Sequence, residues 1–333
     1  MYKKLFIFIL LMLIPLSSFS QRYRIRTGYA DPYLYPKMRN PVYSSFDGTP
    51  YAVNPSQRRV YPKPVQHQTV TQTTPQATSD VDVNIPNSPW AVQENTIVFI
   101  IANEDYVNVP KVNYAINDGE VFAKYCNQTL NIPSHNIHMV KNASGLKIYS
   151  ELSWATNNMS VIGDKCRVIL YYSGHGIPDD NGMLYLLPFD GNADDTVNAC
   201  SLNNIFSMLS NYPSENITVF LDTCFGEIGN SRGIERKAKY SINDGNFVIF
   251  SATRNNERAY AYDEKGHGLF TYFLLKKFQE SRGGVDYGTL SKYLLDNVTL
   301  MSTRINNKTQ TPTIIQSKTL SESNEWKKLR LIN

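Results

Sequence analysis

The chain has 333 residues, 42% of them hydrophobic, and a formal net charge of +4. The basic excess sits at the amino-terminal end. Residues 21–89 carry eight Lys/Arg against four Asp/Glu, whereas 90–333 carry twenty-three against twenty-five, which leaves no basic face for nucleic acid.

Lys3 and Lys4 precede an apolar core, Leu5–Leu16, that is too short to span a bilayer, and Ser18-Phe19-Ser20 supplies small residues at the cleavage positions. This predicts a signal peptide over 1–20 and an exported chain, periplasmic or secreted, beginning at Gln21. Residues 21–89 hold ten of the seventeen prolines, seven tyrosines and Gln/Thr clusters such as Thr69–Thr74. No hydrophobic period persists there long enough to bury one face, so the stretch is predicted to be a disordered Tyr/Pro-rich tail or pro-segment.

From residue 90 onward, strand and helix signals alternate. Thr96–Ala102 is a buried strand, Val112–Leu130 a helix with Ala115, Val121, Phe122 and Tyr125 inside, Asn136–Val140 a short strand and Lys147–Met159 a second helix. Arg167–Tyr172 is a strand, followed by a hairpin through Met183–Pro188. Ser201 reads as the N-cap of a helix to Leu209 that leads into the strand Ile217–Leu221. Phe247–Ser251 is a further strand, His267–Gln279 and Tyr287–Val298 are helices, and Thr313–Ile315 closes the sheet. This order predicts one α/β domain with a mostly parallel sheet covered by helices on both faces.

Two strings leave strand ends: Tyr-Tyr-Ser-Gly-His-Gly at 171–176 and Leu-Asp-Thr-Cys-Phe-Gly at 221–226. Reactive groups in open parallel sheets gather just beyond the carboxyl ends of the strands. If these strands are neighbours, about 4.8 Å apart, His175 and Cys224 face each other across the rim. A thiol beside an imidazole is equipped to attack an amide or ester carbonyl. The N–H groups of Gly176 and Cys224 are the predicted oxyanion donors. Cys126, Cys166 and Cys200 lack the strand-exit position and read as buried hydrophobes or, in an exported chain, as disulfide partners of unspecified connectivity. His267, which repeats the Gly-His-Gly pattern at a helix entry, reads as structural. His67, His135 and His138 carry no assignment.

Residues 95–300 resemble the caspase-like cysteine peptidases, in particular the bacterial caspase-like proteins and metacaspases. The resemblance rests on Ala115-Ile-Asn-Asp118, Tyr172-Ser-Gly-His-Gly176, Leu221-Asp-Thr-Cys-Phe-Gly226, and Phe250-Ser-Ala252 followed by Gly266-His-Gly-Leu-Phe-Thr271. It implies a caspase-like three-layer fold and a cysteine endopeptidase with a His175–Cys224 dyad, the His about fifty residues upstream of the Cys as in caspases. Where caspases carry Gln two residues before the Cys, this chain carries Asp222. In metacaspases an Asp there acts with the acid of the first helix and the Ser two before the His, which implies that Asp118, Ser173 and Asp222 form a substrate pocket for Arg or Lys. A further Asp often found in metacaspases is absent, replaced by Arg254-Asn255-Asn256. The same resemblance makes Gly226–Asp244 the segment cut during maturation, with Arg232, Arg236, Lys237 and Lys239 as candidate cleavage positions.

The expected partners are therefore protein or peptide substrates with Arg or Lys at the cleavage position, with neither nucleic acid nor a membrane span after signal removal. No cofactor is required. Some metacaspases bind calcium through clustered acids, but Asp179-Asp180 and Asp194-Asp195 lack a calcium-loop pattern and read as solvated charges, so no metal site is assigned. Two other readings compete: a catalytically silent caspase-like scaffold, and an enzyme that passes its acyl group to an amine.

Overall fold

The computed structural model describes residues 79–332 apart from 195, 226–241, 243–244 and 255–256. The predicted signal peptide, most of the tail and the four candidate maturation positions lie outside the described residues. Within them, a six-stranded sheet has the order β11-β8-β7-β3-β1-β2. Its strands are β1 (Thr96–Ala102), β2 (Ile137–Lys141), β3 (Arg167–Ser173), β7 (Asn216–Asp222), β8 (Phe247–Ser251) and β11 (Thr313–Gln316). The first five run parallel, and β11 is the antiparallel edge.

Every residue of β1, β3, β7 and β8 is buried, which is why these strands read as continuous apolar runs. Their side chains alternate between two cores. Val98, Ile100, Ile169, Tyr171 and Phe220 point to the side covered by α1 (Ala115–Gln128), α4 (Leu269–Ser281) and α5 (Tyr287–Asn306). Ile97, Phe99, Leu170, Tyr172 and Leu221 point to the side covered by α2 (Gly145–Ile162) and α3 (Leu202–Ser210). The protein is an α/β fold of three layers, as predicted. None of the described helices is long and apolar enough to cross a membrane.

The element boundaries shift for local reasons. Helix α1 begins at Ala115 and not Val112 because Tyr114 takes a left-handed conformation (φ 71°). Helix α4 begins at Leu269, since His267–Gly268 (β10) is extended and pairs antiparallel with Ala261–Tyr262 (β9). Ser201 caps α3 as expected, its Oγ accepting from the Asn204 amide. The predicted hairpin is a small sheet of β4 (Gly176–Pro178), β5 (Leu184–Leu186) and β6 (Cys200–Ser201). Asp179 folds its turn, Oδ1 accepting from the Asn181 and Met183 amides at 2.8 Å each, so this acid has a backbone role beyond solvation.

Residues 79–89, which composition assigns to the tail, include a segment that packs onto the domain. Val81 is fully buried, and its carbonyl accepts from Tyr125 Oη at 2.9 Å. One apolar side chain with charged neighbours docks this segment where the short apolar pattern gives no warning. All four cysteines are free thiols. Cys126 lies in one core and Cys166 and Cys200 in the other, so the sheet separates the first from the other two, and the disulfides that an exported chain could form among them do not occur.

Candidate functional site

Strands β3 and β7 are adjacent and parallel, with Ser173 opposite Asp222 at their last paired position. His175 and Cys224 each lie two residues beyond that pair. They line a cavity of about 250 Å³ at the carboxyl rim, together with Asp118, Ser173, Asp222 and Gly268. The five residues that the sequence singles out as dyad and pocket therefore meet in one depression, and both His175 and Cys224 are half-buried.

The imidazole of His175 is oriented from outside the dyad. Its Nε2 lies 2.7 Å from the carbonyl oxygen of Pro110. A carbonyl only accepts, so Nε2 carries the hydrogen and, in the neutral ring, Nδ1 keeps the lone pair that a general base needs. Burial holds this imidazole below its ordinary pKa, partly offset by the bond to Pro110, which keeps the ring neutral near pH 7. Tyr106 fixes the backbone: the His175 amide donates to Tyr106 Oη at 2.8 Å, and the two rings lie 4.8 Å apart. Tyr172 donates to the His175 carbonyl at 2.5 Å. Lys111, held by Glu104 at 2.8 Å and Asp105 at 3.1 Å, anchors the loop that carries Pro110.

Gly176 follows because no side chain fits. A Cβ there would meet the Phe225 ring at 2.5 Å and Thr223 Oγ1 at 3.0 Å. Phe225 is buried against β4, so the residue after Cys224 closes onto the residue after His175. The two predicted oxyanion donors thereby lie on segments packed together through the Phe225 ring and the Thr223 side chain.

The pocket acids come from the other core. Odd-numbered residues of β3 and even-numbered residues of β7 face α1 and α4, which sends Ser173 and Asp222 toward Asp118. Asp222 Oδ2 accepts from the Thr271 amide at 3.1 Å and from its hydroxyl at 2.6 Å. Asp118 Oδ1 lies 2.7 Å from His267 Nδ1, and its Oδ2 accepts from the Gly268 amide at 3.0 Å. At position 268 a Cβ would collide with both carboxylates, so glycine leaves them access to the cavity. Burial pushes the Asp118 carboxyl up to about 7, with the Asp222 charge adding to it and His267 opposing. Burial pushes Asp222 up to about 6, against the bonds from Thr271 and the nearby His267. His267, fully buried, is lowered by burial but raised more by Asp118 and Asp82, to about 9.

Sequence reasoning did not find Tyr106, Pro110 or Thr271. Pro110 acts through a carbonyl, which leaves no side-chain signature. Thr271 stood in a recognised string, Gly266–Thr271, without a role. His267 is buried and structural as expected, but its partner is a pocket acid. Arg254, in the departure from the metacaspase pattern, pairs with Glu257 at 3.2 Å. Asp195 lies outside the described residues, and no cluster of three or more potential metal ligands occurs among those described.

The fold is similar to that of a solved structure. The crystal structure of a Geobacter sulfurreducens protein superposes with a TM-score of 0.53 at 18% identity, covering 72% of this chain and 99% of that one. That of caspase-1 from Spodoptera frugiperda gives a TM-score of 0.49 at 16% identity, covering 72% and 93%. No curated protein matches the chain. The model of the caspase domain matches residues 95–323, a span that begins at β1 and contains both strand exits, and the chain belongs to that family of cysteine peptidases.

Proposed function

We propose that this protein is a cysteine endopeptidase in which His175 and Cys224 form the dyad and the pocket selects Arg or Lys. The observation that carries the reading is the convergence of a half-buried thiol, an imidazole of fixed tautomer and two buried carboxylates in one cavity. His175 Nδ1 takes the thiol proton, and the Cys224 thiolate attacks the scissile carbonyl. The amides of Gly176 and Cys224 stabilise the tetrahedral oxyanion. As that intermediate collapses, the C–N bond breaks, and His175 returns the proton to the leaving amine. Water, activated by His175, then hydrolyses the thioester.

Asp118 and Asp222 supply the selectivity. Two carboxylates in a small desolvated cavity attract a guanidinium or ammonium and repel an acidic side chain. Ser173 adds a hydroxyl beside them. The dyad chemistry needs no metal or cofactor. The presence of both dyad residues, each with its supporting contacts, favours an enzyme over a silent scaffold. Export by the 1–20 leader and maturation at Arg232, Arg236, Lys237 or Lys239 belong to the same proposal.

The test is hydrolysis of matched fluorogenic peptides ending in Arg, Lys or Asp, with and without calcium. Turnover of the Arg and Lys peptides alone supports the reading. Preference for Asp, or no turnover in any arm, overturns it.

A further inference from the structure

Both ring nitrogens of the buried His267 face carboxylates: Nδ1 lies 2.7 Å from Asp118 Oδ1 and Nε2 lies 2.8 Å from Asp82 Oδ1. A carboxylate only accepts, so this geometry is satisfied when both nitrogens carry hydrogen and the ring is an imidazolium. Asp82 reaches the ring on the segment that precedes the parallel sheet. Val81 seats that segment, Asp80 pairs with Lys265 and Lys276 at 2.9 Å each, and Gln279 Nε2 donates to the carbonyls of Asp80 and Val83. The second Asp82 oxygen accepts from the Ser79 amide, so the side chain is held from behind.

We propose that Asp82 and His267 are positioning residues of the specificity pocket: the segment 79–84 delivers a carboxylate that fixes His267, and His267 orients Asp118 and keeps it ionised for a cationic substrate side chain. The inference rests on the Arg/Lys reading above and adds to it a control that enters from outside the pocket. Asp118 is buried beside Asp222, and each charge disfavours the other. An imidazolium touching Asp118 offsets that repulsion without filling the cavity. Asp82 in turn keeps the ring charged. The other charged or titratable groups facing this cluster are Asp222 from β7, Tyr171 from β3, Tyr125 from α1, and Tyr262 and Lys265 beside β9. From α4 come Tyr272 and Lys276, the latter pairing with Asp80, as Lys265 does. None but His267 places a cation on Asp118.

The test uses the full chain with Asp82→Asn, His267→Gln and, as a control on the same segment, Asp80→Asn. The dependence of kcat/KM on pH is measured with an Arg peptide. Imidazole titration is followed by NMR, and Cys224 alkylation by iodoacetamide reports the dyad. Removing a cationic neighbour raises a carboxyl pKa by about one unit or more. Asp82→Asn and His267→Gln are therefore expected to move the acid limb to higher pH by about one unit, which is about tenfold in kcat/KM near pH 6, through KM more than kcat. In Asp82→Asn the His267 resonance titrates at lower pH than in the wild type. Asp80→Asn is expected to lower thermal stability with the limb unmoved, and alkylation is unchanged in all three.

An unmoved limb in Asp82→Asn, or an equal shift in Asp80→Asn, overturns the relay. A wild type without Arg/Lys preference overturns the pocket reading instead, and the NMR titration then still reports whether Asp82 holds His267 charged.

Discussion

Cys224 and His175 owe their shared place on the rim to where β7 and β3 stop, because the paired Ser173 and Asp222 bring both residues to the same height. Cys224→Ala and His175→Ala are each expected to abolish nearly all peptide hydrolysis while thermal stability stays close to wild type, as measured by fluorogenic turnover and thermal melts. Retention of substantial turnover by either variant would remove that residue from the dyad. Asp222→Asn is expected to lower kcat/KM on Arg peptides more than about tenfold, since a desolvated charge pair is typically worth about 2–5 kcal/mol. Its melting temperature near pH 8 should not fall, because burial already disfavours the ionised carboxyl and an amide oxygen can still accept from Thr271. The convergence of the proposed dyad and pocket acids in one cavity was legible in the sequence because each sits in a short string beside a strand end or helix start. Pro110 and Tyr106 were not, because one contributes a carbonyl and the other a long-range hydroxyl contact sixty-nine residues from His175.

Among the elements, the segment 79–84, β10 and the start of α4 form one charged joint whose contribution to stability changes with pH. His267 is raised from its usual 6.5 to about 9, so its contribution to stability is complete below about 6.5 and is lost as pH rises through 9. Asp118 and Asp222 are raised as well, so their folded-state preference for the proton is lost as pH rises from the ordinary carboxylate range through about 7 and 6. All three terms run in the same direction. The melting temperature is expected to decline from about pH 6 to about pH 9, and His267→Gln should flatten the upper part of that decline. A melting temperature that rises over this interval would contradict the charge assignment. The elements themselves were largely legible from apolar runs and caps, yet this joint was not. Its partners lie 149 and 185 residues apart, and Asp82 sits in a stretch whose composition signals a tail.

For the whole molecule, the succession of strands and helices along the chain and the two helical layers follow from alternation that the sequence carries openly, whereas the order of strands within the sheet does not. An enzyme that selects basic residues meets four of them between Cys224 and β8, so the active protein is expected to cut itself after one or more of Arg232, Arg236, Lys237 and Lys239. Cys224→Ala should stay whole alone and be cut at the same bonds when active enzyme is added, as followed by intact mass. A wild type that turns over Arg peptides yet leaves these bonds intact would exclude self-maturation there. Whether Cys224 is the nucleophile of a pocket selecting basic residues is decided by labelling the purified chain with peptide chloromethyl ketones ending in Arg or Asp and measuring the adducts by mass spectrometry. A single adduct is expected on Cys224, formed faster with the Arg reagent, slowed in His175→Ala and absent in Cys224→Ala. Labelling at Cys126, Cys166 or Cys200 instead, or at equal rates with both reagents, would contradict it.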